Sequence, residues 1–378
     1  VKILVYLKIF VIFVKNKKMN DLKFDLNDIV IVPSEESNIN SRSECDPSTY
    51  LPSNRFGILP LMASPMDTVV SKKNYQEYIK NGIVPCLPRG QFLDPFCTIR
   101  EPYFHSFGLC EIETDIKDYI KNNIQRNDFV VYSRIPFYMY SYVLIDIANG
   151  HMNKLIPIVK EIKSSWPNLK LMIGNVANPE TFANLGLAGA DYVRISIGTG
   201  AGCTTAANVS INYPMGSLIE ECKKQKVQLG LNTKIVADGG MKNYSDIIKA
   251  LALGADYIMM GSTFNKAIES AGFNYLYGIK IPQKTAEALW RWGFPIKKKY
   301  RGMSTKAVQR NWGKSKLVTA EGITKYQKVE YTLEQWTENF KDYLKSAMSY
   351  SNAKKLDEFI GVAQYVFITE AARRRFDK

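Results

Sequence analysis

Eight short apolar runs punctuate the chain, at 58–65, 82–89, 103–109, 142–148, 169–176, 192–198, 234–240 and 257–263. Most are continuous rather than alternating, the pattern of strands buried on both faces of a parallel sheet. Between several of them apolar residues recur at helical spacing, at 154–165, 179–187, 217–225 and 245–253. Gly-Ala-Asp comes before the sixth and the eighth run, at Gly189 and Gly254, a small-residue turn out of a helix into a strand. Eight such units predict an α/β fold, a (β/α)8 TIM barrel, with an open doubly wound sheet as the alternative.

The flanks read differently. Residues 24–33 predict a turn and a strand stopped by Pro33, and 279–300 is rich in Lys and Trp without a clear period. The stretch 305–319 lacks sustained apolar spacing and reads as a short mobile flap after the eighth strand. Segments 333–350 and 353–359 read as C-terminal helices. Residues 1–18 are apolar with five lysines and no acid, too short and interrupted to span a bilayer. They read as upstream or non-native sequence ahead of a single barrel domain, 19–378.

Charge changes the picture little. The net charge is +14, of which residues 1–18 carry five, so the remainder holds +9, which suits an anionic small molecule. No concentrated Arg/Lys stripe or zinc-finger spacing argues for nucleic acid, and no membrane partner is expected. Six cysteines lie scattered without C-x-x-C spacing, which favours a reducing compartment, the cytoplasm, over a disulfide framework. Two histidines leave little material for His-based chemistry.

The chemistry collects where the predicted strands end. Those ends carry Ser64-Pro65-Met66-Asp67, Asp146 with Asn149-Gly150, Gly174-Asn175, Asp238-Gly239-Gly240 and Gly261-Ser262. In a barrel this is the catalytic face. The sixth run ends in three glycines two apart (Gly198, Gly200, Gly202) and then Cys203-Thr204-Thr205. A thiol on such a loop is exposed, where a structural cysteine sits inside an apolar element. Gly239-Gly240 and Gly261-Ser262, on adjacent strands, offer backbone amides to a phosphate, and Asp238 can accept from ribose hydroxyls. The ligand implied is a nucleoside monophosphate with its base towards the Cys203 loop.

Taken together, Met66-Asp67-Thr68-Val69, Gly198-x-Gly200-x-x-Cys203-Thr204-Thr205, Asp238-Gly239-Gly240, Tyr300-x-Gly302-Met303-Ser304 and Glu321-Gly322 resemble the IMP dehydrogenase/GMP reductase family. Ser41-Arg42-Ser43-Glu44 and Asp146-Ile-Ala-Asn149-Gly150 resemble its reductase branch, and there is no room for a CBS insertion after the second strand. The resemblance implies an oxidoreductase that deaminates GMP, or a close guanine nucleotide, to IMP and ammonia with NADPH (NADH being the other form). The reaction would run through a Cys203 thioether, with Thr205 and Glu321 as general acid. It further implies that the nucleoside monophosphate is a purine one and that Asp238, Gly239, Gly240, Gly261, Ser262, Tyr300, Gly302, Met303 and Ser304 bind it. Asp146, Asn175, Arg89 and Tyr350 would face the cofactor. Carbonyls of Gly198, Gly200 and Cys203 would hold a monovalent cation, K+, and the molecule would be a homotetramer. The sequence departs from the reductase pattern at Ala201-Gly202, Ala206, Val318 and Leu87-Pro88-Arg89. The alternatives are an IMP dehydrogenase making XMP with NAD and a catalytically silent purine nucleotide-binding protein.

Overall fold

A computed structural model describes residues 22–51, 57–93, 102–122, 136–305 and 322–376. Strand β1 (Ile29–Ile31) precedes eight strands that correspond one for one to the apolar runs: β2 (Leu61–Ala63), β3 (Val84–Leu87), β4 (Phe104–Phe107), β5 (Tyr142–Asp146), β6 (Lys170–Val176), β7 (Tyr192–Ile195), β8 (Lys234–Asp238) and β9 (Tyr257–Met260). They pair in parallel in chain order. β9 returns to β2 with Leu61 opposite Ile258 and Met62 opposite Met259, so the sheet closes into a (β/α)8 barrel and is not an open sheet.

The helices outside it include Leu155–Ser165, Pro179–Leu187, Met215–Gln228 and Tyr244–Leu253. Asn178 and Asn243 cap two of them, their side-chain oxygens accepting the N–H of Thr181 at 3.0 Å and Asp246 at 2.9 Å.

Alternation along each strand divides the core. Met62, Val84, Phe104, Leu144, Met172, Tyr192, Val236 and Met259 fill the barrel interior. Val143, Ile173, Val193 and Ile195 pack outwards among the helices. Each such burial contributes about 1.5–3 kcal/mol before entropy is counted. By the same period of two, Asp146, Arg194 and Asp238 point inwards, one step above Leu144, Tyr192 and Val236.

After β9 the chain builds a second, antiparallel sheet in the order β11 (Ile279–Ile281), β10 (Asn274–Leu276), β12 (Lys297–Arg301) and β13 (Thr324–Lys328), with the helix Gln283–Arg291 inserted before β12. The sequence reading placed no element in 279–300, because strands of three residues and a Lys-Lys-Lys run carry no readable period. A long helix, Leu333–Tyr350, follows as expected. The final predicted helix shrinks to Leu356–Phe359, and β14 (Tyr365–Phe367) pairs with β1. Residues 1–18 and the body of the expected flap, 306–319, lie outside the described residues. Among those described, no helix is long and apolar enough to cross a membrane.

Candidate active site

Strands β5 to β8 bring four charged or polar groups into one layer at the C-terminal mouth of the barrel. Arg194 of β7 donates from Nε to Asp238 Oδ2 at 2.9 Å and from its terminal nitrogen to Asp146 Oδ1 at 2.8 Å. Asn175 Nδ2 donates to Asp238 Oδ2 at 2.9 Å, and Ser64 Oγ to Asp238 Oδ1 at 3.3 Å. Arg89 lies 3.6 Å from Asp146 Oδ2. Arg194 is 8% exposed. Burial works against its charge, but Asp238 and Asp146 outweigh it and hold the guanidinium more firmly protonated than usual.

A small residue makes room for this layer. Gly174, on the strand between Asp146 and Arg194, is paired with both, and a Cβ there would fall 2.4 Å from the Arg194 carbonyl oxygen. Arg194 was missed by the sequence reading. Its only signal was a charge inside an otherwise apolar run.

The cysteine loop leaves β7 beside this layer. Ser196 takes φ +106°, uncommon for a residue with a Cβ, and its Oγ meets Thr199 Oγ1 at 2.6 Å. Thr199 Oγ1 also donates to the Asp238 carbonyl at 3.3 Å, so the loop is tied to the turn after β8. Cys203 N–H closes on the Gly200 carbonyl at 2.8 Å, and its Sγ donates to Thr205 Oγ1 at 3.2 Å. Thr205 opens the short helix Thr205–Val209.

The far wall comes from β12 and β13. Ile323 N–H donates to the Gly202 carbonyl and Gly302 N–H to the Ile323 carbonyl, each at 3.0 Å, while Cys203 bridges to Gly322. These strands approach so closely that a Cβ on Gly302 would lie 2.3 Å from the Gly202 carbonyl oxygen. Tyr300 is buried with its hydroxyl 3.6 Å from Met66 Sδ. Burial first, then the nearby Asp238 and Cys203, push its phenol pKa up, so it stays neutral. Arg301 grips Asp67 in a two-pronged ion pair, Nε to Oδ1 at 3.1 Å. That pairing lies 234 positions apart in the chain and was not foreseen.

The structure thus brings together Cys203, Thr205, Asp238, Tyr300 and Gly302, with Gly239 against the Thr199 side chain and Gly261 against Met66 and Tyr300. Met303 and Ser304 follow directly, and Ser262 begins the four-residue helix Ser262–Asn265. Of the expected cofactor residues, Arg89, Asp146 and Asn175 join one network. Tyr350 does not. Its helix starts at Leu333, whose N–H is held by Glu269 at 3.0 Å, and runs about 27 Å at 1.5 Å per residue. Tyr350 ends it 66% exposed, its carbonyl accepting the N–H of Ser34. Glu321 and Val318 lie outside the described residues.

The residues suit the groups implied. Arg89, Asp146 and Asn175 form a polar mouth able to hydrogen-bond a ribose or carboxamide. A monovalent cation at Gly198, Gly200 and Cys203 would find the Gly200 carbonyl with one lone pair already given to Cys203 N–H. Among the described residues no cluster of three or more His, Cys, Asp and Glu could hold another metal.

This geometry has a family. Residues 137–376, well over half the chain, match the model of the IMP dehydrogenase / GMP reductase domain. The chain belongs to that family. It is 29% identical over 361 residues to the GMP reductase of Buchnera aphidicola subsp. Schizaphis graminum, covering 93% of this chain and 95% of that one. It is 27% identical over 355 residues to GMP reductase 1 of Mus musculus, covering 93% and 96%. To the inosine-5'-monophosphate dehydrogenase of Chlorobaculum parvum it is 34% identical over 254 residues, covering 67% of this chain and 49% of that one. The chain therefore spans about half the length of that dehydrogenase and nearly all of the reductases. It is a barrel of the IMP dehydrogenase / GMP reductase family.

Proposed function

We propose that the chain catalyses the NADPH-dependent reductive deamination of GMP, or a close guanine nucleotide, to IMP and ammonia. The observation that carries this reading over dehydrogenation is the match to proteins named GMP reductase along almost the full length of both chains. Asp238 would accept from the ribose hydroxyls on its remaining lone pairs, oriented by Arg194 and Asn175. The turns at Gly239-Gly240 and Gly261-Ser262 would offer amides to the phosphate, and Tyr300 to Ser304 would close on the base.

Cys203 Sγ would add to C2 of the purine. The exocyclic amine then leaves as ammonia, taking its proton from Thr205 and Glu321. The C–S bond breaks as hydride arrives at C2, so one GMP, one reduced nicotinamide and one proton give IMP, ammonia and the oxidised nicotinamide. When bound, the nicotinamide cofactor supplies that hydride. Supporting this part for Thr205 is its hydroxyl 3.2 Å from the sulfur, which accepts from the thiol and could turn to donate once the thiolate has reacted. K+ at the loop carbonyls, a homotetramer and a cytoplasmic setting complete the reading.

The test is a coupled assay of the full chain with GMP and NADPH. Nicotinamide absorbance should fall, and Cys203→Ala should lower turnover by about three orders of magnitude or more while nucleotide still binds. Reduced nicotinamide forming from IMP instead would establish the dehydrogenase reading, which the 34% identical relative favours. Nucleotide binding without turnover in either direction, unaffected by Cys203→Ser, would leave a silent binding protein.

A further inference from the structure

The second sheet carries a surface that the proposed reaction does not use. Its outward face is set by register. Lys280 of β11 stands opposite Tyr275 of β10, Tyr275 opposite Lys297 of β12, and Lys297 opposite Lys328 of β13. One step along, Lys299 stands opposite Tyr326. Phe273, just before β10, is 54% exposed, and Tyr277, in the turn that joins β10 to β11, is 77% exposed. Tyr326 is 54% exposed and meets Tyr275 edge-on with ring centroids 5.0 Å apart. Lys280 Nζ sits 3.5 Å over the Phe273 ring.

Aromatic rings and lysines therefore share a solvent face, where an antiparallel sheet ordinarily turns mixed polar residues. Among the described residues no carboxylate forms an ion pair with Lys280, Lys297, Lys299 or Lys328. The acids nearest in sequence are engaged elsewhere, Glu330 with Lys266 at 3.1 Å and Glu287 with Gln283 at 2.7 Å. Lys297 directly across from Lys328 is a like-charge pair, destabilising unless an anion lies over both. A second copy of the same face would set lysine against lysine. An anionic partner with flat apolar groups meets both features, since phosphates neutralise lysines and bases stack on exposed rings.

We propose that the outward face of β10–β13 binds single-stranded nucleic acid, with bases on Tyr275, Tyr326 and Phe273 and phosphates along Lys280, Lys297, Lys299 and Lys328. Three strand spacings of about 4.8 Å give a platform of roughly 14 Å, room for two or three nucleotides. The stripe is invisible in the sequence because its lysines come from three separate segments. Only pairing aligns them.

The test is fluorescence anisotropy of a labelled oligo(dT) of about twelve nucleotides with the full chain. Three neutralised phosphates predict affinity roughly 20-fold weaker between about 50 mM and about 200 mM salt. Lys297→Glu should weaken binding about 10-fold and flatten the salt slope, and Tyr326→Ala should weaken it about 10-fold with the slope unchanged. Lys160→Glu, on the exposed side of the helix Leu155–Ser165, should do neither. Thermal melting of each variant establishes that the chain is folded. Three results overturn the proposal: equal losses in Lys160→Glu, displacement by polyglutamate as readily as by unlabelled oligonucleotide, or a change of oligomeric state in Tyr326→Ala showing that the face is covered by another copy.

Discussion

Two buried cations, one in each sheet, are treated in opposite ways. Arg194 lies in the barrel mouth between two carboxylates and is held charged. Lys298, on the inward side of β12, is wholly buried against neutral oxygens: the Ser270 carbonyl at 2.6 Å and Gln283 Oε1 at 3.2 Å. Burial lowers its pKa to about 7, with Glu269 and Glu287 only partly opposing the shift. Depth of burial is not what separates them. A buried cation keeps its charge when full opposite charges touch it, and gives it up when dipoles alone do. The barrel mouth is thereby a fixed electrostatic frame, and the second sheet a titratable one.

Breaking the frame should cost most. Arg194→Met strands Asp238 in the barrel without a counter-charge, leaves Asp146 only Arg89 at 3.6 Å, and should lose about 3–5 kcal/mol in urea unfolding, with nucleotide binding lost as well. Equal stability of mutant and parent would mean that the two carboxylates take up protons freely. Crowding the same layer tests it from the other side. Gly174→Ala pushes a methyl onto the Arg194 backbone and should cost about 1–3 kcal/mol.

Titrating Lys298 sharpens the contrast. Its folded pKa lies below the unfolded value, so between the two the unfolded chain binds the extra proton. Stability should therefore rise as pH climbs from about 7 towards 10, by about 3–4 kcal/mol, and level off above the unfolded lysine pKa. Lys298→Met should remove that slope, whereas Arg194 contributes none in this window. The smallest effect belongs to the loop joining the frame to the cysteine. Ser196→Gly relieves a positive φ but also deletes a partly buried hydrogen bond of similar worth, about 1 kcal/mol each, so the melting midpoint should hardly move. Since it also frees Thr199 from its 2.6 Å partner, turnover should fall while nucleotide affinity holds.

Much of the architecture was legible beforehand. All eight barrel strands lie within the apolar runs, because strands buried on both faces must be continuously apolar, and Pro179–Leu187 was bounded to the residue. Cys203, Asp238 and the glycine turns stood out in the sequence because they are unusual residues at the ends of apolar runs, and the barrel gathers them at one mouth. Arg194, the Asp67–Arg301 pair and the second sheet were not. A charge in an apolar run has no partner until alternation and register name one, and strands of three residues fall below any readable period.

The sequence by itself determined which segments are strands, which strand ends gather Asp, Asn and Gly, and which cysteine stands on a glycine loop, since these follow from local pattern and residue type; that the loop leaves Cys203 half-buried, and Cys110 the exposed thiol, it did not. Tertiary structure alone decided that Tyr350 ends its helix exposed, outside the network of Arg89, Asp146 and Asn175. It also decided that Arg194 joins the two carboxylates, and that lysines from three segments line one face. Those are facts of closure and pairing, which bring together groups tens to hundreds of residues apart and have no signature in a local window.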